Sequence, residues 1–103
     1  MMNVDNVTSS DMVESYAAID RIEDDYAVLE IESHSIKSNE GIPFPRRDCY
    51  MSDVLLATII HAIGQVKEGD VLVVKHDETN VIPVRFAPEE KEARIEYLRS
   101  LIN

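Results

Sequence analysis

The chain is poor in the residues that several kinds of site require. It has one cysteine, Cys49, so it forms no internal disulfide, which fits a reducing compartment. Three glycines in 103 residues provide no glycine-rich loop for phosphate groups. Ten basic residues against 20 acidic ones give a net charge of −10, which opposes binding to nucleic acid and to anionic membranes. We therefore expect neither of these as a partner.

The chain also lacks long apolar runs. None approaches the ~18 residues that a membrane-spanning helix requires. Residues 1–13 lack the basic start and apolar middle of a secretory signal. We expect a cytoplasmic protein with a flexible arm at residues 1–14 and a single domain at residues 15–103, the usual size for one domain.

The strongest pattern present is a β-hairpin at Tyr16–Ile31. Apolar residues favour strands at 16–22 and 26–32, joined by the acidic turn Glu23-Asp24-Asp25. Alternation places Ala27, Leu29 and Ile31 on one face of the second strand. In the first strand, two isoleucines stand three residues apart. This spacing predicts a β-bulge or the end of the strand near Asp20 and Arg21.

The middle of the chain admits two interpretations. Ile42–Arg47 contains two prolines, so it is an edge strand or an extended loop. Ser52 and Asp53 are suited to cap a helix that starts at Val54 and ends at Gly64. The alternative is a buried strand at residues 55–60. The helix is favoured because helical spacing accounts for more of the apolar residues.

Two strands and a helix complete the chain. Strands are predicted at 71–75 and 81–86, and Pro83 places the second at an edge or a bulge. A helix begins near Pro88, and we expect its apolar stripe, Ile95, Leu98, Leu101 and Ile102, to pack on the sheet. The predicted fold class is α+β. It is a small antiparallel SH3/OB-like β-barrel or bent sheet of four to five strands, with a C-terminal α-helix and a middle helix.

Few residues are suited to catalysis or to metal binding. The chain's three histidines and Cys49 have no zinc-site spacing, so we expect no metal and no cofactor. Asp20 is a carboxylate among apolar neighbours. If it is buried beside Arg21 or Arg46, a structural ion pair is a more common role than acid catalysis. Arginines next to Cys49 favour a thiolate, but no nucleophile motif accompanies them. We therefore expect a protein that is not an enzyme.

The order of these segments resembles that of the DUF3006 family, small bacterial proteins of unknown function. The resemblance lies in Ile19-Asp-Arg-Ile-Glu23 followed by Tyr26-Ala-Val-Leu29, in Lys67-Glu-Gly-Asp-Val-Leu72, and in Glu89-Glu-Lys-Glu-Ala-Arg94 before an apolar helix. It covers roughly residues 17–101. The stretch from Asp48 to Gln65 is longer than the family's short link. The resemblance implies a small β-barrel-like domain, and it supplies no catalytic residues because none are established for the family. By association it implies a metallo-β-lactamase-fold protein as partner.

These observations lead to two functional hypotheses. The first is a non-enzymatic binding or accessory module that acts through protein–protein contacts, at Ile42–Arg47 and at Asp48–Gln65, with self-association as a variant. The second is a regulatory domain for a small ligand or a divalent cation, using Asp20, the acidic turn or histidines. The candidate binding residues are Asp20, Arg21, Phe44, Arg46, Arg47, Leu55, Ile59 and Ile63, of which Leu55, Ile59 and Ile63 are the candidates for a homodimer contact.

Overall fold

The computed structural model describes residues 12–102 and has an α+β fold. Five antiparallel strands form one open sheet in the order β3-β2-β1-β4-β5, and the sheet is accompanied by two helices. A bent sheet therefore fits, whereas the sheet is not closed into a barrel. The predicted arm at 1–14 falls mainly outside the described residues. The elements are β1 (Val13–Glu23), β2 (Tyr26–Glu32), β3 (Cys49–Leu55), α1 (Leu56–Ile63), β4 (Val71–His76), β5 (Val81–Phe86) and α2 (Pro88–Ile102).

The predicted hairpin is confirmed as β1 and β2. A two-residue turn joins the strands, and Asp24 takes a positive φ of 54°, which aspartate tolerates well. The register shifts between Ile19 and Arg21, so the break in alternation is a β-bulge. Strand β1 begins at Val13, three residues earlier than predicted, and pairs with both β2 and β4. The hairpin therefore supplies two of the three inner strands of the sheet.

The main core lies on the face of the sheet that α1 covers. Alternate residues of the inner strands, such as Leu29, Ile31 and Leu72, are fully buried there with Ile59 of α1. Complete burial of such a side chain contributes roughly 1.5–3 kcal/mol. Helix α1 contacts β5, β3 and β2, so it crosses this face between the two edges of the sheet. The segment 48–65 is thus part of the core and not a removable insertion.

The middle segment is a strand followed by a helix, so the favoured helix is present and the alternative strand at residues 55–60 is wrong. Residues 49–55 form the edge strand β3, and the helix follows at Leu56 and ends at Gly64, whose φ is 111°. The predicted helix start at Val54 is therefore two residues too early, because Val54 pairs with Ala27 of β2. Ile42–Arg47, for which an edge strand or an extended loop was predicted, is a loop and contains a cis Phe44–Pro45 bond. Pro83 lies in the edge strand β5, opposite a register irregularity at Val73/Val74, as predicted.

The second face of the sheet carries a row of residues that runs across the strands. Arg85 pairs with Val73, and Val73 with Tyr16. Cys49 pairs with Glu32, one step beyond the Ala17–Ile31 pair that links β1 to β2. Helix α2 follows this row. It begins at the end of β5, where the Ala87 N–H donates to the Val71 carbonyl of β4 at 2.8 Å, and the Arg94 side chain reaches Glu32 of β2.

The prediction that the apolar stripe of α2 packs on the sheet is wrong for most of its length. Leu98 is 54% exposed, Leu101 63% and Ile102 84%, and only Ile95 is half-buried. The residues turned to the protein are Glu90 and Arg94, which bind charged partners from distant segments. Neither helix found in residues 12–102 has the length and apolar content needed to cross a bilayer.

Candidate functional site

Four buried charged side chains form a closed ring between the sheet, the loop and α2. This arginine–glutamate ring consists of Glu32, Arg46, Glu90 and Arg94, whose side chains are 3–13% exposed. Arg46 Nε lies 2.9 Å from Glu32 Oε1, and Arg94 Nη2 lies 2.9 Å from Glu32 Oε2. Arg94 Nε lies 3.0 Å from Glu90 Oε2, and Arg46 Nη2 closes the ring onto the same oxygen. Each charge therefore has two opposite partners.

Aromatic side chains cover the ring. Arg94 lies over the ring of Phe44, 4.8 Å from its centroid, and Arg46 lies 5.7 Å from that of Tyr16. Tyr97 meets Phe44 edge-on, with centroids 5.6 Å apart. The loop 42–47 is thereby held between α2 and the sheet. Phe44 and Arg46, both candidate binding residues, have structural contacts in this position.

The environment of the ring favours the charged form of Arg46. Burial lowers the pKa of Arg46, but hydrogen bonds and charges from Glu32 and Glu90 raise it by more, so the net shift is upward. Two positive and two negative charges leave the ring neutral. A buried ion network of this kind specifies how the segments fit together, and removing one member leaves an unpaired buried charge. The ring is suited to holding α2 and the loop in place and has no free acid or base for catalysis.

A second buried polar group links β1, β3 and β4. The Ser15 hydroxyl donates to the His34 carbonyl at 2.8 Å, so its oxygen accepts from His76 Nε2, also at 2.8 Å. His76 Nδ1 then accepts from the Tyr50 hydroxyl at 2.7 Å. With Nε2 as a donor and Nδ1 as an acceptor, the His76 imidazole is neutral. Burial favours the same form because it lowers the pKa of His76.

The geometry of this group does not suit nucleophilic catalysis. A serine nucleophile needs a histidine that accepts its proton, whereas His76 donates to Ser15. Ser15 is also fully buried. Burial, with Glu30 and Glu32 nearby, raises the pKa of the Cys49 thiol, so the expected thiolate character is not supported. These polar groups hold the fold together.

The predicted site residues do not come together in one place. Asp20 is exposed on the bulge and pairs with Arg21 at 2.6 Å, so it is neither buried nor joined to Arg46. Arg47 is exposed in the loop. Leu55 is exposed at the end of β3, but Ile59 is fully buried and Ile63 packs against the core. The three residues expected to form a dimer contact therefore do not share an exposed surface.

Exposed apolar side chains on the α2 face of β2 and β3, together with those at the end of α2, define a different surface, which we name the β3–α2 surface. Its sheet part is Tyr26, Met51 and Leu55, each about half exposed, and its helix part is Leu98, Leu101 and Ile102. Strand β3 is an edge of the described sheet, so one side of its backbone has no neighbouring strand in it. Met51 is not evident from the sequence, because Ser52 and Asp53 beside it have the composition of a helix cap.

The exposure of the helix part follows from simple dimensions. The 15 residues of α2 span about 22 Å at 1.5 Å per residue, slightly more than the four spacings of about 4.8 Å that separate β5 from β3. A helix of this length that starts at β5 reaches the β3 edge of the sheet with its last turn, where exposure rises toward Ile102.

Other possible ligand positions are weak. Among residues 12–102 no group of three or more His, Cys, Asp or Glu side chains is arranged to hold a metal ion. An open groove of about 520 Å³ lies beside Ile36 and is lined by charges of both signs, including Glu14 and Lys37. Arg85, also in this groove, is already paired with Glu89 at 3.0 Å. These contacts single out no ligand chemistry.

The chain was compared with known protein families, with curated proteins and with solved structures, and nothing matched in any of the three comparisons.

Proposed function

We propose that this protein is a non-enzymatic interaction module that binds another protein through the β3–α2 surface. The observation that carries the proposal is the overhang of α2, which leaves Leu98, Leu101 and Ile102 exposed beside an edge strand. An exposed apolar cluster next to unpaired backbone groups is a typical protein-binding surface.

The two parts of the surface have complementary roles in binding. The outer edge of β3 accepts an added strand through backbone hydrogen bonds, which contribute affinity with little dependence on sequence. Met51 and Leu55 lie on the same face of β3 as α2 and supply apolar anchors. The exposed apolar side chains at the end of α2 contact the added strand from the side. Specificity then resides in apolar contacts, in the manner of other interface hot spots.

The pairing of the buried carboxylates with basic side chains supports an interaction module over a catalyst. The most buried carboxylates, Glu32 and Glu90, are neutralised by arginines within the ring, and Asp70 by lysines. Within residues 12–102, no specific contact favours a small-ligand or cation-binding domain. The resemblance to the DUF3006 family adds a metallo-β-lactamase-fold protein as a candidate partner in a cytoplasmic setting.

Two matched substitutions test the proposal. Met51→Lys places a charge on the β3–α2 surface, and Ile82→Lys places the same charge on the opposite edge strand, at nearly equal exposure of 50% and 48%. The wild-type chain and both variants are immobilised and exposed to lysate of cells that express the natural chain. We expect a protein retained by the wild type and by Ile82→Lys but lost with Met51→Lys. Equal retention by all three chains contradicts the proposal.

A further inference from the structure

We propose that the protein bound at the β3–α2 surface is a second copy of this chain, in a two-fold dimer that pairs the two β3 strands. In this dimer the overhanging end of each α2 covers the sheet of the other copy. The inference rests on the proposed interaction function and names its partner.

The direction of α2 provides the first argument. The helix crosses the strands along the row that ends at Cys49, the first residue of β3. Its 15 residues span about 22 Å, slightly more than the four strand spacings from β5 to β3. Its last turn thus lies at the edge to which the next strand would add. A strand bound there lies next to the exposed side chains of Leu101 and Ile102.

The two-fold symmetry provides the second argument. Antiparallel pairing of two β3 strands places the Leu55 end of one copy beside the Cys49 end of the other. Tyr26 is the register partner of Leu55 and lies on the same face. The overhang of one α2 therefore meets Leu55 and Tyr26 of the partner copy. The surface is self-complementary. Its helix part and its sheet part are separated within one chain, but in the dimer the helix part of each copy contacts the sheet part of the other.

The area available matches what a dimer needs. Six side chains that are half to four-fifths exposed, at roughly 200 Å² each, present on the order of 600 Å² of apolar-rich surface per copy. A standard interface buries about 800 Å² per partner, and backbone pairing of β3 adds to the side-chain area.

The oligomeric state of the full chain tests the proposal. We expect light scattering and sedimentation of the wild type to give a dimer at micromolar concentration. Met51→Lys and Leu98→Lys, at exposed positions on the two parts of the surface, should each raise the dimer dissociation constant at least tenfold. Ile82→Lys, on the opposite edge, should leave it unchanged. Circular dichroism melting of the variants at low concentration checks that each one folds.

Hydrogen exchange identifies the paired strand. Backbone amides of β3 should become more protected as the wild-type concentration rises, and those of β5 should not. A wild-type monomer at high micromolar concentration overturns the dimer. So does a dimer that Ile82→Lys weakens and Met51→Lys does not.

These results separate the inference from the proposed function. If the wild type is monomeric but retains a different protein that Met51→Lys loses, the dimer is excluded and the interaction module stands. A dimer that keeps its affinity in both Met51→Lys and Leu98→Lys removes the β3–α2 surface from both proposals.

Discussion

Arg94 of α2 donates to Glu32 of β2 at 2.9 Å, across 62 positions of sequence, with both side chains almost completely buried. This ion pair joins the end of an inner strand to the middle of the C-terminal helix. Its second carboxylate partner, Glu90, lies one turn earlier on the same helix. The position of α2 on the sheet thus depends on a buried charge contact.

Replacing Arg94 tests this dependence. Arg94→Ala leaves Glu32 and Glu90 buried with one arginine between them, and we expect a loss of roughly 3–5 kcal/mol in the free energy of unfolding. The matched control is Arg99→Ala on the same helix, where the pair with Glu96 is exposed and should contribute less than about 0.5 kcal/mol. Urea denaturation of both variants measures the difference. Equal, small losses would show that the ring does not hold α2.

The two helices should differ sharply in what their apolar residues contribute to the fold. Ile59 of α1 is fully buried, so Ile59→Ala should lower the free energy of unfolding by about 2–5 kcal/mol. Leu101 of α2 is 63% exposed, so Leu101→Ala should change it by less than about 0.5 kcal/mol. Both values are measured at low concentration, where association does not contribute. A large loss with Leu101→Ala would place the stripe of α2 in the core of the single chain.

His76 should make stability depend on pH. Burial lowers its pKa in the folded protein, so the unfolded chain binds a proton more readily. Stability is therefore full above the unfolded pKa of about 6.5 and is lost as pH falls from there through the lower folded value. We expect the melting temperature to drop across this interval in the wild type and to change less in His76→Gln.

His61, exposed on α1, provides the control for this titration. His61→Gln should keep the wild-type dependence of melting temperature on pH. If His76→Gln retains the full drop instead, the titrating group lies elsewhere.

The hairpin could be predicted because its signals are local. Apolar alternation and an acidic turn indicate two strands, and the three-residue spacing of Ile19 and Ile22 indicates a bulge. Each of these signals is encoded within a few residues. Strand β3 was hidden for the opposite reason. Ser52 and Asp53 have the composition of a helix cap, and only pairing with residues 26–32 makes this segment a strand.

The pattern of apolar residues in α2 also could not predict which face of the helix is buried. Its stripe of leucines and isoleucines predicts packing on the sheet. Instead, Glu90 and Arg94 face inward, because they form buried ion pairs with Arg46 and Glu32. The i, i+4 spacing of Glu90 and Arg94 was the available signal. It does not distinguish a buried pair from a solvated one, since the partners come from other parts of the chain.

The arginine–glutamate ring also determines which parts of the protein open together. Arg46 belongs to the loop, Arg94 to α2, and both bind Glu32, so neither segment can leave without exposing the charge that the other needs. The loop and the helix thus form one cooperative unit, whose release would uncover Val73 and Tyr16 on the sheet beneath. A displacement of α2 therefore also changes the surroundings of Phe44, because Arg94 lies over its ring and Tyr97 meets it edge-on.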